Sequence, residues 1–407
     1  MMRDAAIPAI LFGAFDRHNF GDLLFPHVSA ALHNRSNVLF AGLAESDLRA
    51  YGGYKVQSIV RLAAEWGSRP INIIHAGGEI LTCNAWQAAA MILPPNEAKD
   101  MIARYDRRPL AALDWAQRQL GMHALAPYSM PTQLFPHANK IIYNAVGGVD
   151  LDEGDTVLRA EVLANLKAAD AVGVRDKCTH ALLQAEGLRP RLMPDPAVMV
   201  AELFGTTIRE RMSQGELVQA RQAFPQGYVA VQFSADFEIV PGTADPLFQI
   251  AAQLDRFVRA SGLGVVFFRA GAAPWHDELD CYAKVVAHMR SPSTIVFTSL
   301  DIWDICALIA GSRGYLGSSL HGRIVAMAFA VPRLNLRHPS HVGRTTKHIA
   351  YADTWDQESL PATVDLNDIA EGMLHAMHAD PYKLRYTAEQ LVQEYRLGFA
   401  ELCAGLT

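Results

Sequence analysis

The chain has 407 residues, 50% of them hydrophobic and 19% charged, with a formal net charge of −6. This length exceeds what one hydrophobic core usually fills, which predicts two domains. The acidic balance and the lack of a Lys/Arg-rich run argue against a nucleic-acid partner. Five scattered cysteines without a Cys-x-x-Cys pair favour reduced thiols in a cytoplasmic protein. No apolar run reaches the roughly 18 residues of an integral membrane segment, and we interpret the first apolar stretch as a strand, not a signal peptide.

Short apolar runs alternate with longer amphipathic stretches along most of the chain. The runs predicted as strands are, in chain order, Ile7–Gly13, Asn37–Ala41, Ile71–His75, Lys140–Ala145, Ala171–Val174, Tyr228–Phe233, Gly264–Phe268, Thr294–Thr298, Gly314–Gly317 and Pro332–Leu336. Helices are predicted over Leu158–Ala168, Pro246–Ala260 and Ile302–Ala310. Because the runs are continuously apolar, they are typical of parallel strands buried on both faces by helices. The predicted fold class is α/β, with two Rossmann-like domains built on parallel sheets.

A domain boundary is expected where a polar segment separates two groups of strands. The segment Glu202–Ala223 is polar with a helical pattern, and Pro225-Gln226-Gly227 then leads into a new strand. We therefore predict an N-terminal Rossmann-like domain over residues 1–205 and a C-terminal one over residues 206–355. Residues 356–407 are predicted to form a helical segment.

Candidate ligand-binding residues follow the strands, because open α/β sheets bind ligands outside the carboxyl ends of their strands. The first strand is followed by Asn19-Phe20-Gly21-Asp22, where Gly21 would permit a tight turn and Asp22 would cap the next helix. The third strand is followed by Gly77-Gly78-Glu79, where two glycines bring the backbone close to a ligand or to a packed helix. A GxGxxG pattern for a classical NAD site is absent there.

Two later strands carry the residues best suited to chemistry. Arg175 directly follows Ala171–Val174, and its guanidinium could hold a phosphate or carboxylate, or form an ion pair within the protein. Ser318 and Ser319 follow Gly314–Gly317 and can cap the next helix, which places His321 in its first turn. A histidine there suits proton transfer near neutral pH, and the alternative is a hydrogen bond to the neighbouring loop.

These segments, in this order, resemble the polysaccharide pyruvyl transferase family over about residues 10–350. The matching pieces are Asn19-Phe20-Gly21-Asp22, Gly77-Gly78-Glu79-Ile80-Leu81, Val174-Arg175-Asp176, Pro194-Asp195-Pro196-Ala197, and Leu320-His321-Gly322 followed by Ala326 and Val331-Pro332. The resemblance implies a GT-B-like fold and phosphoenolpyruvate as co-substrate, with no other cofactor. The implied product is a pyruvate ketal that bridges two hydroxyls of a sugar.

The resemblance also implies roles for individual residues. His321 matches the family's catalytic-site histidine, Arg175 the arginine that would hold the donor's phosphate or carboxylate, and Lys347 a lysine often found after the last strand. The family commonly reads Arg-Leu-His where this chain has Ser319-Leu320-His321, so a donor-binding arginine is missing from its expected place. A second cation must then accompany Arg175. The candidates are Arg323, Arg337 and Lys347, with Arg323 preferred because it is nearest to His321.

The implied partner is a sugar or glycan acceptor for exopolysaccharide or cell-envelope synthesis, with the acceptor on the first domain and the donor on the second. A lipid-linked acceptor would be met at the inner membrane face. No metal-ligand spacing is visible, so we expect a metal-independent reaction. The acceptor sugar, the position and stereochemistry of the ketal, and the oligomeric state, a homo-oligomer included, stay open. Two alternatives remain: a GT-B glycosyltransferase that uses a nucleotide sugar, with Asp301 or Asp304 near the ribose, and a non-catalytic glycan-binding member, which Ser319 would suit.

Overall fold

The structure is a computed structural model that describes residues 7–33, 37–240, 242 and 245–406. The chain forms two compact units, Met1–Pro196 with Gln393–Thr407, and Ala197–Val392. This division differs from the predicted boundary at residue 205, because the helix Val200–Arg211 packs as a whole on helices of the second unit. It also differs after residue 355, where the chain adds a strand and a helix to the second unit before the last helix enters the first.

The first unit contains an eight-stranded sheet. Its strands are β1 Ala9–Phe12, β2 Val38–Gly42, β3 Ser46–Asp47, β4 Lys55–Ser58, β5 Ile71–His75, β6 Ala138–Val146, β7 Ala171–Val174 and β8 Arg191–Leu192. Its helices are α1 Phe20–His33, α2 Ile59–Trp66, α3 Ala85–Met91, α4 Pro95–Tyr105, α5 Pro109–Leu120, α6 Thr156–Lys167 and α7 Lys177–Ala185. The strand order is β3-β4-β2-β1-β5-β6-β7-β8, and every pair is parallel except β3 with β4.

The second unit contains a six-stranded, fully parallel sheet. Its strands are β9 Tyr228–Gln232, β10 Gly264–Phe267, β11 Thr294–Val296, β12 Gly314–Gly317, β13 Arg333–Leu336 and β14 Thr363–Val364, in the order β11-β10-β9-β12-β13-β14. The helices that follow the first unit are α8 Val200–Arg211, α9 Gly215–Ala223, α10 Pro246–Ser261, α11 Leu279–His288, α12 Ile302–Ala310, α13 Leu320–Ala328, α14 Lys347–Trp355, α15 Ile369–Met377 and α16 Pro381–Leu402. Short 3-10 turns cover Arg49–Tyr51, Thr132–Leu134, Pro196–Met199, Ala235–Glu238, Pro339–His341 and Leu366–Asp368.

The central strands are buried on both faces, as their uninterrupted apolar sequences predict. Every residue of β1 and β5 is fully buried, so the predicted α/β class with parallel sheets is confirmed. No helix among the described residues is long and apolar enough to cross a membrane.

The order of the strands fixes where each sheet can bind a ligand. In the first sheet, β1 continues to β2 on one side while β5 lies on its other side; β9, β10 and β12 repeat this arrangement in the second. The strand order reverses between β1 and β5 in the first sheet and between β9 and β12 in the second. The loops after the two strands of each pair run in opposite directions, which opens a crevice at the carboxyl ends of these strands. The candidate residues of each unit are therefore those that follow β1 and β5, and those that follow β9 and β12.

Candidate functional site

The loop after β1 begins α1 with a cap that differs from the predicted one. The Oδ1 atom of Asn19 accepts hydrogen bonds from the backbone N of Gly21 at 3.1 Å and of Asp22 at 3.4 Å. Asn19 is therefore the cap, while Gly21 and Asp22 lie inside the first turn of α1. The predicted turn at Gly21 and cap at Asp22 are wrong, because the amide side chain three residues earlier already satisfies those backbone donors.

A buried polar cluster that sequence reasoning missed precedes this cap. Asp16 accepts from the backbone N of Leu43 at 2.6 Å and from the hydroxyl of Tyr128 at 3.0 Å. Arg17 donates to the same hydroxyl at 2.6 Å and lies 3.7 Å from Asp22. Burial raises the pKa of Asp16, while the charge of Arg17 and the hydrogen bonds lower it. The signal in the sequence was the Asp16-Arg17 pair, which only His18 separates from Asn19.

Gly77 and Gly78 serve the packing of the loop after β5. Both have positive φ angles, +121° and +95°, which residues with a Cβ rarely adopt. A Cβ on Gly78 would lie 3.2 Å from the ring of Phe25, and one on Gly77 would lie 3.2 Å from Pro196. The sequence predicted that these glycines bring the backbone close to either a ligand or a packed helix. The structure shows a packed helix, since Phe25 belongs to α1.

Arg175 lies at the carboxyl end of β7 between two carboxylates. Its Nη2 is 2.5 Å from Glu79 Oε2, its Nη1 is 2.9 Å from Asp195 Oδ2, and the side chain is 2% exposed. Glu79 also accepts from the backbone N of Val149 at 3.1 Å. In this arrangement a donor anion would have to displace a carboxylate to reach Arg175, so the structure gives Arg175 the ion-pair role.

In the second unit, the turn between β12 and α13 is fixed through its backbone carbonyls. Asn335 Nδ2 donates to the carbonyl of Gly317 at 2.8 Å, and the Tyr315 hydroxyl donates to that of Ser319 at 2.9 Å. His348 Nε2 is 2.9 Å from the carbonyl of Ser318. Burial, together with the charge of Lys347, lowers the pKa of His348 to about 3. This imidazole is therefore neutral, and its Nε2–H donates a hydrogen bond to the carbonyl of Ser318.

His321 is the second residue of α13, in the first turn where the sequence predicted it, and is 9% exposed. Ser319 is the cap and accepts from the backbone N of Gly322 at 3.3 Å. The Oγ of Ser318 accepts from the backbone N of Ser234 at 3.0 Å, which joins the turn to the loop after β9. Both predicted serines therefore hold the backbone in place around His321.

Arg323 does not offer a free guanidinium to a ligand. Its Nε and Nη2 lie 3.0 and 2.7 Å from Asp356 Oδ2, and its Nη1 donates to the carbonyl of Ala362 at 2.9 Å. The Nε of Arg333 donates to the same carboxylate oxygen at 2.9 Å. Both arginines and Asp356 are at most 1% exposed. The preference for Arg323 as the second donor cation is therefore wrong, because its side chain belongs to a buried ion cluster.

The two remaining predicted cations differ in their surroundings. Arg337 forms a two-point ion pair with Asp365, at 2.7 Å for both contacts. Lys347 is exposed at the first position of α14. Its neighbour His348 contacts Ser318, so the structure places Lys347 beside the β12–α13 turn and commits Arg337 to a carboxylate.

The loop after β10 brings a further arginine to the same edge of the second sheet. Asp277 fixes this loop: it accepts from Gln232 Nε2 at 2.8 Å and from the backbone N of Ala270 at 2.5 Å. Burial raises the pKa of Asp277 to about 7, while those hydrogen bonds and the charge of Arg269 lower it. Sequence reasoning missed Arg269, although it directly follows a predicted strand.

The carboxylates considered for a nucleotide-sugar ribose have structural partners. Asp301 caps α12 through the backbone N of Trp303 at 2.9 Å, and Asp304 accepts from Arg211 at 3.0 Å. Among the residues that the structure describes, no group of three or more His, Cys, Asp or Glu side chains is arranged to hold a metal ion.

Two parallel-sheet units of this topology define an α/β protein of the GT-B class, and known structures of that class are similar to this chain. UDP-GlcNAc 2-epimerase from Neisseria meningitidis, bound to UDP-GlcNAc, has 10% identity and a TM-score of 0.50, covering 95% of this chain and 98% of the epimerase. α,α-Trehalose 6-phosphate synthase from Burkholderia multivorans has 10% identity and a TM-score of 0.50, covering 98% and 94%. At such identities the likeness shows the fold alone.

The sequence itself identifies the family. The family model for polysaccharide pyruvyl transferase matches residues 19–340, and the chain belongs to that family. This confirms the resemblance drawn from the motifs. No curated protein matches the chain in sequence.

Proposed function

We propose that this protein transfers the pyruvyl group of phosphoenolpyruvate to two hydroxyls of a sugar in a glycan or glycan precursor, forming a ketal. Membership of the polysaccharide pyruvyl transferase family supports a transferase with a polysaccharide-type acceptor. The observation that carries the proposal is the placement of His321. It lies in the first turn of α13, beside the point where the order of the second sheet reverses, and inside the family's motif.

The chemistry requires four events. The methylene carbon of the donor gains a proton, and a sugar hydroxyl attacks the neighbouring carbon and loses its proton. The carbon–oxygen bond to phosphate then breaks, and the second hydroxyl attacks the same carbon and loses its proton. The products are one ketal and one phosphate, so one group that both gives and accepts protons can serve all steps. We assign this work to His321.

The other residues support this assignment in different ways. Lys347 is exposed beside the β12–α13 turn and would bind an anionic group of the donor. Ser318, Ser319 and His348 hold the turn, so they act as positioning residues. In the first unit, Arg175 would act by fixing Glu79 and Asp195, which leaves the Glu79 carboxylate in a defined position for an acceptor hydroxyl.

The test is turnover by the full chain with phosphoenolpyruvate and a panel of hexose and N-acetylhexosamine acceptors. Phosphate release that depends on the acceptor, together with a product mass that matches the ketal, is the expected result. His321→Ala should lower turnover by about 10²- to 10⁴-fold without loss of folding. The matched control is His288→Ala, an exposed histidine at the end of α11, which should retain full turnover. Near-normal activity of His321→Ala would contradict its assignment.

A further inference from the structure

The second sheet carries an arginine that no motif predicted. Arg269 follows β10 and is half-buried. Its Nε is buried, and no described residue accepts a hydrogen bond from it. A buried guanidinium nitrogen without an acceptor costs free energy unless something else satisfies it. This orphaned donor is the first observation that points to a ligand.

The strand register places Arg269 at the same level as the catalytic turn. Phe267 of β10 and Leu316 of β12 both pair with Val231 of β9, which lies between them. Arg269 and Ser318 each come two residues later, so both leave the sheet at the same height. Neighbouring strands are about 4.8 Å apart, so the ends of β10 and β12 are about 10 Å apart. The loop that carries Arg269 and the turn that precedes His321 therefore leave the same edge of the sheet, about two strand spacings apart.

Among the residues that the structure describes, no carboxylate forms an ion pair with Arg269, in contrast to Arg323 and Arg337 of the same unit. Asp277, whose pKa the charge of Arg269 lowers against the effect of burial, directs its oxygens to Gln232 and to the backbone N of Ala270. By contrast, Arg323 and Arg337 are committed to Asp356 and Asp365.

The hydrogen bonds of Asp277 also make the loop a rigid support. They join the start and the end of the loop to the last residue of β9, and the backbone N of Ala235, after β9, donates to the carbonyl of His276 at 3.1 Å. Arg269 is thus held on a fixed loop one strand away from the point between β9 and β12 where the strand order reverses.

We propose that Arg269 binds the phosphate or carboxylate of phosphoenolpyruvate, in place of the arginine that the family motif carries where this chain has Ser319. The inference rests on the proposed function. A guanidinium suits this role because it can give two parallel hydrogen bonds to one anionic group. With Lys347 it supplies two positive charges on the carboxyl edge of the same sheet, matching a donor that carries two anionic groups.

The test is the dissociation constant of phosphoenolpyruvate for the full chain, measured by calorimetry. Arg269→Met should weaken binding by about 10- to 100-fold, the effect of losing hydrogen bonds from a charged donor. The matched control is Arg259→Met, which removes the same charge from an exposed position in the last turn of α10. Its dissociation constant should equal that of the wild type.

Folding is monitored by the melting temperature without ligand, which should be unchanged in Arg269→Met because the described structure gives its Nε no partner to lose. If that variant does not fold, Arg269→Gln keeps a polar group and should show the same weakening. In turnover assays the KM for phosphoenolpyruvate should rise more than kcat falls. Wild-type affinity in the folded variants would overturn the role of Arg269 and leave the proposed function standing. A wild type that binds no phosphoenolpyruvate would overturn the proposed function and the role of Arg269 with it.

Discussion

Asp356→Asn is the substitution that tests the structural role of Arg323 most severely. The carboxylate of Asp356 is almost fully buried and contacts two arginines that are 0% exposed. The native cluster already holds two positive charges and one negative charge, with the carbonyls of Val331 and Ala362 accepting further hydrogen bonds. The asparagine variant would leave both guanidinium charges buried without a counter-charge.

Removing one partner of a buried ion pair usually costs about 3–5 kcal/mol. A typical unfolding free energy is about 5–15 kcal/mol, so this loss is a large part of the total. The assay is urea unfolding followed by circular dichroism. The control is Asp365→Asn, whose partner Arg337 is 25% exposed; it should cost less than about 1 kcal/mol. If Asp356→Asn is as stable as the control variant, the ion pair with Asp356 does not fix the Arg323 side chain. Arg323 would then again be a candidate for binding the donor.

The same carboxylate has a pH signature. Its two arginines hold the pKa of Asp356 below the ordinary value against the effect of burial. A depressed pKa contributes stability that is present above the ordinary aspartate pKa and is lost as the pH falls through the native value. The wild type should therefore lose more stability than Asp356→Asn when the pH is lowered below about 4.

Three further predictions concern the surroundings of the site. Asp195→Asn should lower the unfolding free energy in urea more than Glu79→Gln does. The reason is that Asp195 is fully buried against Arg175, whereas the Glu79 side chain is 19% exposed. Equal losses of unfolding free energy would refute this. Since burial raises the pKa of Asp277 to about 7, its neutral form is favoured in the fold, and the unfolding free energy should fall as the pH rises from about 4 to about 7. Asp277→Asn should lack that part of the slope, and an unchanged pH profile would contradict the reasoning. Trp275 has φ +61° and is 48% exposed, so Trp275→Gly should be more stable than Trp275→Ala by about 1 kcal/mol; the reverse order of melting temperatures would count against strain at this position.

The strands that could be predicted from the sequence are those whose own residues are continuously apolar. Ile71–His75, Ala171–Val174 and Gly314–Gly317 have the predicted bounds, because strands buried on both faces need a continuous apolar sequence. Of the strands that the sequence did not indicate, β3, β8 and β14 have only two residues each, and β4 has the polar sequence Lys-Val-Gln-Ser. Such strands exist because a neighbour pairs with them, and their own residues carry no periodic pattern.

The candidate site shows the same division. The order of the motifs located His321 and the loops around it, because each loop follows a recognisable strand. The ion-pair partners could not be predicted: Glu79 is 96 residues from Arg175, and Asp356 is 33 residues from Arg323. Only the folded chain shows that these two arginines are occupied. Arg269 was within reach of the sequence, since the rule that selects residues after strands applies to it as well.

The most direct test of the account is a comparison of two donors on the wild-type chain. Phosphoenolpyruvate and a UDP-sugar are each titrated into the full chain, and binding is followed by calorimetry and by the melting temperature, which rises with a ligand that binds the native state. We expect phosphoenolpyruvate to bind and to raise the melting temperature, and the UDP-sugar to do neither. Binding of the UDP-sugar without binding of phosphoenolpyruvate would contradict pyruvyl transfer and favour a nucleotide-sugar enzyme.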